Sequence, residues 1–315
     1  MRPLLLLALA ALPATALADT IEVDAHPVWY EVHGDLTPDQ PPILLLHGGA
    51  MNTALTWADL IPVLSQDRAV IGIDQQGHGR TADRDQPITM DSMRRDTLAV
   101  LDALQVDSAH VVGFSMGGML GYDLAVHAPD RVASLNAISA AQSNDGMHPG
   151  LVAANRDPGQ LPDAETLALL PSPRDMLAMR QSWMEQNPDA PDGMTKVLTK
   201  LGRFIASDWG WSDEELVAIT APTQILLGDS DFLPPEHGAH LAALIPDAWL
   251  AVLPDTTHLN IIHRPELPDL LIARIKAAEA GQCSHFAPRL LAFPRHFANP
   301  SPSKGISRHD DGQKL

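Results

Sequence analysis

In the stretch "HVVGFSMGGMLGYDLAVHAPDRV", Gly113, Ser115 and Gly117 set a serine between two glycines where an apolar run of strand character passes directly into a helical one. The glycines leave room for a sharp turn that strains Ser115 and raises its hydroxyl clear of the chain. At the helix start, the N–H of Met116 faces the place where a carbonyl oxygen would gain negative charge. A serine hydroxyl is a weak nucleophile near neutral pH, so such a site requires a base and a carboxylate to orient that base. Both stand later in the chain, Asp231 in "ILLGDSDFLPPEH" and His258 in "LPDTTHLNIIHRPE", each on a loop after an apolar run.

Other residues compete for these roles. Asp229 is two positions from Asp231 on the same loop, and His263 could act as base only if its loop were longer than expected. His47, in a His-Gly turn, reads as a brace for the neighbouring loop, and His78 as a loop or pocket-wall residue. His237 and His240 share one helical face after Glu236, yet no third ligand accompanies them, so the pattern reads as a solvated helix rather than a metal site.

These groups must be positioned by what lies between them. "IEVDAHPVWYEVHG" reads as two paired edge strands, with a turn over 34–42. "PILLLHGG", "AVIGIDQQGHG" and "AHVVGFS" are continuous apolar runs ended by turn residues, which suits strands buried on both faces of a parallel sheet. "VASLNAIS" follows, then after a gap "TQILLGDSD", and lastly "AWLAVLPDTTH". Helical patterns cover Trp57 to Ser65, Met90 to Leu104, Gly117 to His127, Pro235 to Ile245 and Pro265 to Glu279. The alternation predicts an α/β fold with a mostly parallel, doubly wound sheet, its active site at the carboxyl ends of the strands. Residues 141–219 break the rhythm with scattered prolines, several methionines and no strand pattern. Amphipathic stretches such as "RDMLAMRQSWMEQ" predict a helical cap inserted over that sheet edge. The core is then expected over 19–140 and 220–280, with a basic, proline-rich, disordered tail over 281–315.

Five motifs now agree in order: "LLLHGGA", "DQQGHGRT", "GFSMGG", "LLGDSDFLPP" and "PDTTHL". Together they resemble the oxyanion loop, the turn after the next strand, the nucleophile elbow, the acid loop and the histidine loop of the α/β-hydrolase superfamily, over about Pro42 to Ala277. The resemblance implies Ser115 as nucleophile, His258 as general base and Asp231 as acid, three positions past Gly228. It also implies backbone N–H groups of Gly49 and Met116 as the oxyanion hole, with Ala50 the near alternative to Gly49. The expected reaction is hydrolysis of a small-molecule carboxylic ester or lactone through an acyl-enzyme, with no metal or organic cofactor. A proline iminopeptidase usually shows H-G-G-P-G where this chain has His47-Gly48-Gly49-Ala50-Met51. Carbon–carbon bond hydrolysis, perhydrolysis and ligand binding without turnover remain open on the same scaffold. Epoxide hydrolases and haloalkane dehalogenases use aspartate at the elbow, which Ser115 excludes. Two departures from the pattern are Gln75-Gln76, where an arginine often stands, and Thr256-Thr257 before the histidine, in place of a glycine-containing lead-in.

Composition narrows the partners. Of 315 residues, 39 are acidic and 21 basic, a formal charge of -18 that argues against nucleic acid. The first eighteen residues, "MRPLLLLALAALPATALA", carry Arg2, an apolar stretch too short for the roughly 20 residues a bilayer span needs, and Ala16-Leu17-Ala18 as a cleavage signal. They predict a signal peptide cut after Ala18, a periplasmic or secreted protein, and no stable membrane anchor. Cys283 is the single cysteine, so no intramolecular disulfide can form. The oligomeric state is not legible in the sequence.

Overall fold

Strands whose side chains are apolar on both pleat faces form the middle of the molecule. The structure is a computed structural model and describes residues 16–157, 159 and 161–282. The chain starts with β1 (Ala16–Val23), β2 (His26–His33) and β3 (Ile43–Leu46), followed by the short helices α1 (Thr53–Trp57) and α2 (Ile61–Leu64). Next come β4 (Val70–Ile73), α3 (Met90–Ala103), β5 (Ala109–Phe114), α4 (Met116–His127) and β6 (Val132–Ile138). Five helices follow without a strand: α5 (Pro149–Arg156), α6 (Ala164–Leu169), α7 (Pro173–Gln186), α8 (Met194–Ala206) and α9 (Asp213–Val217). The chain then returns to the sheet with β7 (Thr223–Ser230), α10 (Pro235–Leu244), β8 (Ala248–Thr257) and α11 (Leu267–Glu279).

The eight strands make one sheet in the order β1-β2-β4-β3-β5-β6-β7-β8. The β1/β2 and β2/β4 pairs are antiparallel and the rest parallel. The run "ILLL" of β3 shows why its strands read as unbroken apolar segments. Ile43 and Leu45 pack with Trp57, Leu64, Leu271 and Ile275 on one face. Leu44 and Leu46 pack with Met93, Leu120 and Tyr122 on the other. Helices therefore cover both sides, and neither face of the central strands meets water.

Two local expectations change. The helix expected over Trp57 to Ser65 is two pieces, because Asn52 caps α1 by accepting the Leu55 N–H at 2.8 Å and Pro62 sits in the first turn of α2, where its missing N–H costs nothing. Of the two strands expected at an edge, β1 is one, whereas β2 lies between β1 and β4.

The helices α5 to α9 form the cap. Ser172 and Asp175 build a reciprocal capping box that starts α7. Val197, Leu201 and Phe204 of α8 join the same buried cluster as Met116 and Met119 of α4. Polar bolts fix the end of α7 to the loop after β4. The Trp183 indole N–H donates to Gly77 O at 3.1 Å, and the buried Asn187 amide reaches Gly77 O, Gly79 O and Thr81 O at 3.1–3.3 Å. Lys200 adds an ion pair with Asp83 at 2.8 Å.

Residues 1–15 of the expected signal peptide, and the expected tail from Cys283 onward, lie outside the described residues. Ala16, Leu17 and Ala18 pair with His33, Val32 and Glu31, so a cut after Ala18 would leave Asp19–Val23 to form β1.

Replacing Asn187 with alanine leaves Gly79 O and Thr81 O without their side-chain donor and Gly77 O with Trp183 alone. Buried groups stripped of a partner cost about 2 kcal/mol, which for a domain of this size lowers the thermal midpoint by about 4–8 °C. A melting curve of Asn187→Ala that superposes on the wild type would show that the bolt carries no stability.

Candidate active site

Ser115 sits between β5 and α4 with φ 52° and ψ -118°, a left-handed backbone that non-glycine residues adopt only under constraint. Its N–H donates to Ile138 O at 2.8 Å on the neighbouring strand. Two glycines make the turn possible. A Cβ on Gly113 would lie 2.2 Å from Gly117 O, and one on Gly117 would lie 2.1 Å from Leu46 O. Both obstacles are backbone, so neither can move aside.

The turn delivers the hydroxyl to a histidine. Ser115 Oγ lies 3.0 Å from His258 Nε2, and His258 Nδ1 lies 2.6 Å from Asp231 Oδ1. With Nδ1 carrying the proton, the ring donates to the carboxylate and accepts from the serine hydroxyl. His258 is held flat against Phe232, with ring centroids 3.7 Å apart and planes 7° from parallel, and its other side meets Phe114 at 5.1 Å. These contacts fix the ring plane that both hydrogen bonds need.

Asp231 is buried, and burial alone would push its carboxyl up. The His258 charge and hydrogen bond, with donors from Ser139 Oγ and Gly228 N, outweigh that and hold it below the usual carboxylate range. The Phe232 N–H adds a further contact to Oδ1 at 2.6 Å. Asp229 has a different place. It is exposed and accepts the N–H groups of Asp255 and Thr256 at 2.9 and 3.0 Å, tying the end of β7 to that of β8.

Among the possible oxyanion donors, the Ala50 N–H already donates to His78 Nε2 at 3.0 Å. The N–H groups of Gly49 and Met116 have no acceptor among the described residues, and both residues line the same cavity as Ser115. Two backbone donors thus remain for an incoming oxygen.

The other histidines brace the walls. His47 Nδ1 donates to Gly48 O at 2.8 Å and its Nε2 accepts the Gln75 N–H at 3.0 Å. His78 Nδ1 donates to Gln76 O at 2.9 Å. Burial pulls His47 down to about 4; burial, with His47 nearby, pulls His78 down to about 3, so both rings stay neutral. His263 is exposed and pairs with Asp59 at 3.1 Å. The helix bearing His237 is not simply solvated. His237 is half-buried, accepts the Gln142 N–H at 3.2 Å and is pulled down to about 4 by burial and then by His240. Gln76, one of the two departures from the resembled pattern, holds Arg84 at 2.8 Å in position for its pair with the buried Asp96.

Two members of the site were missed in the sequence. Ser139, at φ 52° just past β6, donates to Asp231 Oδ2 at 2.5 Å, and Phe232 supplies the stacking face for His258. The available signals were a serine ending "VASLNAIS" and an aromatic residue immediately after Asp231.

The site opens into a cavity of about 380 Å³ between core and cap. Its walls include Met51, Met116 and Met119 from the core and Met147, Met179 and Met194 from the cap, and among the described residues no Asp, Glu, Lys or Arg lines it. Methionine is unbranched and polarizable, so such walls adapt to irregular apolar shapes.

Residues 41–170 match the family model described as alpha/beta hydrolase fold. RutD of Azorhizobium caulinodans, named as a candidate carbamate hydrolase, is 32% identical over 235 residues, covering 71% of this chain and 85% of that protein. The rhodomycin D methylesterase DauP of a Streptomyces species is 28% identical over 295 residues, covering 82% and 98%. An N-acyl homoserine lactone degrading enzyme of known structure is 27% identical, with a TM-score of 0.64 over 81% of this chain and 99% of that one.

The neutral histidines set a pH dependence of stability. Their folded pKa values lie below the unfolded value, so the unfolded chain binds more protons between about pH 6.5 and pH 4, and stability falls as pH drops through that window. Between pH 7 and pH 5 each of His47 and His78 removes about 2 kcal/mol on those values. Urea midpoints should therefore be lower at pH 5 than at pH 7, and His78→Gln should narrow the difference. An equal difference in the variant would assign the effect to other groups.

Proposed function

The chain belongs to the alpha/beta hydrolase superfamily, and from that premise we propose that it is a serine hydrolase cleaving carboxylic esters or lactones through an acyl-enzyme. The observation that carries this reading is the continuous relay from Ser115 through His258 to Asp231, beside two free backbone N–H groups and under an uncharged apolar cavity.

In the first half-reaction, Ser115 Oγ attacks the carbonyl carbon while its proton passes to His258 Nε2. The carbonyl oxygen becomes an oxyanion held by the Gly49 and Met116 N–H groups, each worth roughly 3 kcal/mol to the transition state. Asp231 keeps Nδ1 protonated and stabilises the imidazolium without taking a proton itself. Collapse of the intermediate breaks the carbonyl–oxygen bond, and His258 returns its proton to the departing alkoxide. Water then attacks the acyl-serine with His258 as base, releasing the acid and restoring Ser115. A lactone follows the same course with its alcohol still tethered to the acyl group.

The cavity supports a neutral substrate. A free carboxylate or ammonium group would enter an apolar space without a charged partner on its walls, which disfavours iminopeptidase chemistry and diacid carbon–carbon substrates. The named activities of the methylesterase and of the lactone-degrading enzyme point the same way. The Arg2-led apolar segment ending in Ala16-Leu17-Ala18 supports action outside the cytoplasm.

Hydrolysis of p-nitrophenyl acetate, butyrate and octanoate by the wild type and by Ser115→Ala tests the proposal. The variant should lose at least about ten-thousand-fold in kcat, and a fluorophosphonate should label wild-type Ser115. Turnover that survives in Ser115→Ala, or a folded wild type that neither turns over these esters nor takes the label, would sink it.

A further inference from the structure

Polar side-chain atoms are scarce on the cavity wall. Ser115 and His258 bond to each other, and the indole N–H of Trp209 donates to Ile205 O at 3.2 Å. Among the described residues one further polar side chain lines the cavity, the carboxamide of Asn155. It stands on α5 one turn after the buried Leu151, on the helical face that lines the cavity, and forms no hydrogen bond with the described residues.

A structural role does not account for it. Elsewhere in the chain, Asn144 and Asn187 donate their amides to backbone carbonyls and Asn52 caps a helix. Asn155 caps nothing, and asparagine is a poor helix former within a helix such as α5. Leu151, Met147, Ile205 and other apolar side chains line the same cavity. A half-buried carboxamide in such a wall is satisfied by whatever fills the cavity.

The chemistry of that occupant follows from the group. Among the described residues no charged side chain lines the cavity, so a charged ligand finds no counterion among them. A carboxamide offers both an acceptor oxygen and N–H donors, so a neutral secondary amide can meet it through a single hydrogen bond, with either its C=O or its N–H. We propose that Asn155 is a specificity-determining residue that hydrogen-bonds a neutral secondary amide carried on the substrate away from the scissile carbonyl. This rests on the reading of Ser115 as the nucleophile acting in the same cavity. The cap thus recognises an otherwise apolar acyl chain interrupted by one amide.

The test uses p-nitrophenyl esters of equal chain length: the octanoate, and N-acylglycine, N-acyl-β-alanine and N-acyl-γ-aminobutyrate esters whose amide occupies successive positions. In the wild type, at least one amide ester should exceed octanoate in kcat/KM by about tenfold, the effect of one well-placed hydrogen bond. In Asn155→Leu that ratio should fall to within about twofold of unity. A parallel calorimetric titration of Ser115→Ala and the Ser115→Ala/Asn155→Leu double variant uses the methyl ketone analogues of the same chains, and should show the same loss of preference in Kd. Three results would overturn the inference: no amide position preferred by the wild type, a preference that survives in Asn155→Leu, or equal losses for both chain types. An inert wild type whose Ser115→Ala form still binds the amide ketone in an Asn155-dependent way would overturn the hydrolase reading and leave the amide site standing.

Discussion

A backbone at φ 52° and ψ -118° costs an L-residue of order 1–3 kcal/mol, and the protein holds Ser115 there by leaving it no alternative. The end of β5, the start of α4 and the end of β3 meet at distances where only hydrogen side chains fit, so Gly113 and Gly117 are required by backbone on the opposite side. The strain raises the hydroxyl above the sheet, and it also starts α4 at Met116, whose N–H, like the others in a first helical turn, has no carbonyl four residues back. Ala50 and Ser139 carry the same positive φ at the ends of β3 and β6. Three adjacent strands therefore concentrate their unfavourable geometry at one point, and the packed sheet beneath them offsets the cost.

Burial acts in opposite directions on neighbouring groups, and the site needs both. For His47 and His78 it wins, since the pull of Asp74 and Asp83 on His78 is smaller than its burial, and they remain neutral braces that accept backbone N–H groups. For Asp231 it loses, because a histidine, a serine hydroxyl and a backbone amide all favour the ionised form. The charged Asp231 carboxylate is the partner that the proposed proton transfer from Ser115 to His258 requires.

Much of this was legible in the sequence, for identifiable reasons. Strands buried on two faces write unbroken apolar runs, and β3 to β7 stand where those runs lie, while the edge strand β8 is mostly half-buried or exposed. The elbow was legible because its sterics demand particular residues at particular spacings. Asp231 over Asp229 was favoured by position relative to Gly228, and the geometry agrees: Asp231 meets His258 while Asp229 ties two strand ends together. What did not show were contacts between segments distant in the chain. Ser139 reaches Asp231 across 92 residues, and Asn187 reaches Gly77 across 110. A single serine or asparagine carries no periodicity, so nothing local marks it. The split of the first helix was hidden for a different reason, since both pieces share one apolar pattern and only the cap at Asn52 and the proline at position 62 divide them.

The loop over residues 75–84 joins the two halves of the site. From above, Trp183, Asn187 and Lys200 of the cap take hold of Gly77, Gly79, Thr81 and Asp83. From below, Asp74 accepts the N–H groups of Thr53 and Arg80 and so ties the loop to the start of α1. Within the loop, His78 accepts the Ala50 N–H and fixes the peptide that follows Gly49. The loop that seats the cap therefore also holds the backbone next to Gly49. The cap contacts and the His78–Ala50 bond thus fall on one short loop, through different residues of it.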